Sequence, residues 1–132
     1  MTARVLIVDD AITLTGFLKD LIEQDGYLVD TADTAGTARA ALSAHPPDIV
    51  LLDAELPDGT GYALCQSMRG DPLSREIPVV MMSACSRAVD IEKGQALGAD
   101  AHLAKPFTAS ELMSVVARLL TETPGLAGRA NA

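Results

Sequence analysis

Cysteine is scarce in this chain: its 132 residues include two, Cys65 and Cys85. They stand well apart and outside any Cys-x-x-Cys or Cys/His ligand spacing, which argues against a zinc site or a disulfide framework and makes both free thiols. Long apolar runs are missing too, and none reaches the roughly 20 residues that a membrane-spanning helix needs. The opening "MTARVLIVDD" lacks the cationic, apolar and cleavage-site sequence of a secretory signal, so the expected location is the cytoplasm. Basic residues are outnumbered, ten against eighteen acidic ones, for a formal charge of −8. That sign opposes binding to nucleic acid or to an anionic membrane through this domain and leaves cations and proteins as partners. The sequence holds no internal repeat and no low-complexity tract.

What is present is apolar content, 48% of a chain long enough to bury a real core, and it predicts one globular domain. The apolar residues fall in short runs: 4–9 (RVLIVD), 27–32 (YLVDTA), 48–53 (DIVLLD), 77–83 (IPVVMMS) and 101–104 (AHLA). Their length, β-branching and flanking turn residues favour strands. Helix-length segments separate them. Five β-α repeats imply a parallel sheet covered on both faces, because parallel neighbours need crossover connections and the crossovers are the helices.

The first helix is expected to bury a stripe of Leu14, Phe17, Leu18, Leu21 and Ile22 and to stop at Gly26. The last begins with Thr108 and Glu111 as a capping box and continues through Leu112, Val115, Val116, Leu119 and Leu120. Between them lie an alanine-rich helix over about 34–44 ended by Pro46 and Pro47, a third over 61–69, and a fourth over about 87–97. Gly94 makes that fourth helix a poor one intrinsically. The domain is therefore placed at 1–120, with 121–132 as a tail or the start of a linker.

In an open parallel sheet, ligands bind beyond the carboxyl ends of the strands. Those ends carry Asp9 and Asp10, Asp53, Ser83 and Lys105. Two carboxylates about 4 Å apart repel by roughly 4 kcal/mol at an effective dielectric near 20, so gathering three requires a cation or a raised pKa. Taken alone, the acid pair reads equally well as the place where a strand meets water. With the third acid, hard oxygen ligands in this number suit Mg²⁺, and a carboxylate beside the metal is a competent phosphoryl acceptor.

The segments "VLIVDD", "DIVLLDAELPDGTG", "PVVMMSA" and "GADAHLAKPF", in this order and spacing, resemble the receiver domain of two-component response regulators over residues 4 to about 120. The resemblance implies a flavodoxin-like, doubly wound five-stranded sheet of order 2-1-3-4-5. It also implies reversible signalling rather than enzymatic turnover, from a stand-alone chemotaxis-type receiver or the N-terminal receiver of a longer regulator. Asp53 would be the phosphoacceptor, Asp10 and Asp53 would bind Mg²⁺ directly with the backbone carbonyl of Glu55, and Asp9 would act through a metal-bound water. Ser83, Lys105 and the Ala84 backbone N–H would contact the phosphoryl group, and the Lys105-Pro106 bond would be cis. The implied donor is a histidine kinase or a histidine phosphotransfer protein. The implied output is a downstream target protein, or a domain beyond Ala132.

Departures from the family pattern are local. His102 stands where an aromatic switch residue is usual, and reads equally as a half-exposed strand histidine or a second switch element beside Ser83. Ala11 replaces a third acid, and Glu55 reads as a solvated loop glutamate near the phosphoryl entry route. Ile12 lies off the buried stripe and is either a docking contact or an ordinary surface isoleucine. Two rival functions remain: a small Mg²⁺-dependent phosphohydrolase and a phosphorylation-independent interaction module.

Overall fold

A computed structural model describes residues 2–84 and 88–122, with the side chains of 88–90 left out. The apolar runs become strands β1 (Arg4–Val8), β2 (Leu28–Ala32), β3 (Ile49–Asp53), β6 (Val79–Ser83) and β7 (Ala101–Ala104). Two further strands, β4 (Glu55–Leu56) and β5 (Gly59–Thr60), form a short antiparallel hairpin after β3 that the sequence pattern does not announce. The main sheet has the order β2-β1-β3-β6-β7 and every pairing in it is parallel. Leaving aside the hairpin, this is the expected 2-1-3-4-5 order of a flavodoxin-like fold.

Alternation along the strands sends side chains to two cores. Leu6, Val8, Val50, Leu52, Val79 and Met81 face helices α2 (Ala35–Ala44) and α3 (Gly61–Arg69). Val5, Ile7, Ile49, Leu51, Val80 and Met82 face α1 (Ile12–Gln24) and α5 (Ala109–Glu122). Strand β3 is buried along its whole length, as the central strand of a sheet covered on both faces must be.

The helix ends follow their local chemistry. Thr34 caps α2 by accepting the Thr37 N–H, and Thr108 and Glu111 form the reciprocal capping box expected before α5. Gly26, at φ 94°, supplies the left-handed residue that ends α1. Helix α4 (Ala88–Ala96) forms despite Gly94, which is buried where an added methyl would make ordinary contact with the Tyr62 ring.

One expectation needs correction. Phe17 is 58% exposed, so the buried stripe of α1 is carried by Leu18 and Ile22 with Leu14 and Leu21 partly buried. Phe17 is one residue, about 100° of rotation, from Leu18 and falls on the flank of the helix. Helix α5 continues through Glu122, two residues into the segment assigned to the tail, and the rest of that segment, 123–132, lies outside the described residues. Cys85 and the expected start of the fourth helix at 87 also lie outside them, whereas Cys65 is a buried free thiol. Among the described residues no helix is long and apolar enough to cross a membrane.

Candidate functional site

The parallel sheet delivers its strand ends to one edge. Asp9 follows β1 directly and is 2% exposed, while its neighbour Asp10 is exposed. Asp53 closes β3 and Ser83 closes β6, both buried. Lys105 follows β7, and its N–H donates to the Ser83 carbonyl at 2.8 Å, which sets the lysine beside the serine. The Lys105-Pro106 bond is cis, as expected.

The acids lie close: one oxygen each from Asp9, Asp10 and Asp53 fall within 4.8 Å of one another. Lys105 Nζ donates to Asp9 Oδ2 at 2.8 Å and lies 3.5 Å from Asp53 Oδ1. Asp9 Oδ1 accepts the Ala11 N–H at 2.8 Å, and Asp53 Oδ1 accepts the Glu55 N–H at 3.3 Å. The closest partner of the lysine is thus Asp9 rather than Asp53, a choice that residue type and strand-end position leave open. A pocket of about 360 Å³ opens above this floor, lined by Asp10, Asp53, Lys105, Ser83, Ala84 and the hairpin residues Glu55, Leu56 and Pro57.

Burial pushes the Asp53 carboxyl above its usual pKa, and the charge of Asp9 pushes the same way; the Glu55 N–H and Lys105 oppose them without prevailing. Burial works against the Lys105 charge, but the hydrogen bond to Asp9 and the two nearby carboxylates outweigh it, so this lysine is held above its ordinary value. One ammonium does not neutralise three carboxylates. The excess negative charge, the hard oxygen donors and the exposed Asp10 fit a divalent cation of the Mg²⁺ class.

Local sequence explains the close approach behind the site. A side chain at Gly61 would collide with the Asp53 carbonyl, so only glycine lets α3 begin directly against β3. Other singled-out residues are dispersed. His102 is half-buried on edge strand β7, level with Met81 on β6 rather than in the pocket lining. Glu55 and Ile12 are exposed, the latter at 86%.

Sequence reasoning missed two clamps. Asp58, at the hairpin tip, accepts the Ala35 N–H at 2.7 Å and the Gly36 N–H at 3.0 Å, and these bonds hold its carboxyl below the usual range. Arg69, in the last turn of α3, donates to the carbonyls of Gly98, Arg75 and Ile77 and pairs with Asp100 at 2.7 Å. "LPDGTG" marks a turn and so hinted at the first, while nothing in the sequence points to the second.

A five-stranded doubly wound sheet with three acids and a lysine at its carboxyl edge defines a class, and comparison with known proteins agrees. Residues 5–117 match the response regulator receiver domain. The chain is 32% identical over 120 residues to the phosphate regulon transcriptional regulatory protein PhoB of Rhizobium meliloti, covering 91% of this chain and 53% of that protein. It is 34% identical over 120 residues to the DNA-binding dual master transcriptional regulator RpaA of Synechocystis, covering 91% and 50%. Chemotaxis protein CheY4 of Vibrio cholerae superposes with a TM-score of 0.86 at 28% identity, covering 91% of this chain and all of that one. The chain spans about half the length of the curated relatives it matches. It belongs to the receiver domain family of response regulators, whose place is two-component signalling. Proteins of this family bind Mg²⁺ in an acidic pocket and serve as phosphoacceptors rather than as enzymes in the ordinary sense.

Proposed function

We propose that Asp53 accepts a phosphoryl group from a cytoplasmic histidine kinase or histidine phosphotransfer protein, and that the modified domain then changes its affinity for a downstream target protein. The observation that carries this reading is the position of Asp53, where the acid cluster and Lys105 meet on the pocket floor. A carboxylate oxygen of Asp53 forms a bond to phosphorus as the P–N bond of a phosphohistidine breaks, and the bonding electrons leave on the imidazole nitrogen. Burial favours this, because a carboxylate stripped of water has less solvation to lose on reaction.

Asp10 and Asp53 would hold Mg²⁺ directly, with the Glu55 carbonyl, and Asp9 would do so through water. Bound there, the ion supplies neutralisation of the phosphoryl oxygens. Lys105, 3.5 Å from Asp53, brings a fixed positive charge to the same place. Ser83 and the Ala84 N–H add hydrogen-bond donors on the pocket wall. Incubation with acetyl phosphate and Mg²⁺ followed by mass spectrometry should place an acyl-phosphate label on Asp53, absent with EDTA and absent in Asp53→Asn. Undiminished labelling of that variant would remove the assignment.

A further inference from the structure

We infer that Asp58 is a positioning residue for the metal side of the pocket. It fastens the β4–β5 hairpin to the start of α2 and so fixes where the Glu55 carbonyl stands. The inference rests on the proposed Mg²⁺ site.

The argument begins with the weakness of the hairpin. Each of its strands has two residues, Glu55–Leu56 against Gly59–Thr60, and an isolated two-stranded ribbon of this size has little stability of its own. Yet it carries three residues of the pocket wall, Glu55, Leu56 and Pro57. Its base is tied down by the Gly61 N–H to the Ala54 carbonyl at 2.9 Å and by the Glu55 N–H to Asp53 Oδ1 at 3.3 Å. Its tip needs a separate anchor, and Asp58 provides one.

Both oxygens of that carboxylate are used. Oδ1 takes the Ala35 N–H and Oδ2 the Gly36 N–H, at 2.7 and 3.0 Å, so the group is held in orientation as well as position. The anchor is firm because Ala35 and Ala38 are buried in the core beneath α2. The anchor also bridges the site. Helix α2 follows β2, whose Ala32 carbonyl accepts the Asp9 N–H at 3.0 Å. The hairpin and the acid pair are thereby referred to the same edge of the sheet.

Groups that orient a metal ligand typically cost about tenfold or more in metal affinity when they are removed. The test compares wild type with Asp58→Ala, Asp58→Asn and Thr34→Ala. The last removes the neighbouring α2 cap to Thr37 and leaves the Asp58 bonds in place. Thermal midpoints read by circular dichroism across a MgCl₂ series give the Mg²⁺ concentration at which the added stability reaches RT ln 2, which is the Kd of the site. Asp58→Ala should raise that concentration about tenfold. Asp58→Asn, with one acceptor oxygen instead of two, should fall between, and Thr34→Ala should match wild type. Labelling of Asp58→Ala by acetyl phosphate should be slow at low Mg²⁺ and recover at saturation. An unshifted Asp58→Ala, an equal shift in Thr34→Ala, or a labelling deficit that persists at saturation would overturn the inference alone. A wild-type midpoint indifferent to Mg²⁺ would overturn the cation site and this inference with it.

Discussion

Lys105→Met keeps much of the side chain's bulk and removes its charge, and the geometry sets what should follow. The ammonium lies 2.8 Å from a carboxylate whose side chain is 1% exposed, while the lysine side chain itself is 23% exposed. Removing one partner of a buried pair costs about 3–5 kcal/mol, and the partial exposure here lowers the expectation to about 2–3 kcal/mol. For a domain of this size that is a fall in thermal midpoint of roughly 8–12 °C in metal-free buffer. Mg²⁺ should then restore more than it adds to wild type, for which a concentration tenfold above Kd contributes about 1.4 kcal/mol. The reason is that Asp9, freed of the lysine, leaves the cluster one charge more negative. The pH dependence has a definite sign. A lysine raised above 10.5 in the folded state contributes stability that is complete below that value and lost as pH rises through the higher one, so wild type should weaken there and the variant should lack that step. Calorimetry with EDTA and with MgCl₂ measures both effects. A metal-free midpoint equal to wild type, or a smaller Mg²⁺ increment than in wild type, would refute this account of the lysine.

Asp53→Asn should be more stable than wild type in metal-free neutral buffer. A carboxyl whose folded pKa is raised contributes stability below about pH 3.8 that is lost as pH rises through the folded value, and urea titrations at several pH values would show the variant without that loss. Gly61→Ala should cost about 1–3 kcal/mol and slow acetyl phosphate labelling, because the added methyl drives α3 away from the Asp53 carbonyl. Arg69→Ala should cost about 2–3 kcal/mol by denaturant titration, since three backbone carbonyls and Asp100 lose a charged donor at once, while labelling at saturating Mg²⁺ stays near wild type.

The strands and their order were legible because each is a short β-branched run bounded by turn residues, and the acids and lysine because each directly follows or closes such a run. The hairpin was not, since two-residue strands are too short to show alternation. Phe17 was misplaced because helical spacing gives a wide stripe and cannot say where its edge meets solvent. Asp58 and Arg69 were missed for a different reason. Asp58 bonds the backbone N–H groups of Ala35 and Gly36, and Arg69 bonds the Gly98 carbonyl as well as the Asp100 side chain, all far along the chain, where the side-chain pattern does not pick out the partner. The Lys105 pairing was half legible: residue type and edge were readable, but the choice of Asp9 over Asp53 depends on ångström-scale placement.

Strand β3 is enclosed by β1 and β6 at its edges and by helices above and below, with all five residues buried. Amides in such a place exchange with solvent only when the whole domain opens, whereas loops and helix ends exchange through small local fluctuations. The Asp53 carboxylate is thus mounted on the slowest part of the molecule. Whatever the domain does on the microsecond-to-millisecond scale must happen around Asp53 while its backbone stands still, and an exchange experiment should find the Ile49–Leu52 amides among the last to lose their protons, with or without a phosphoryl mimic.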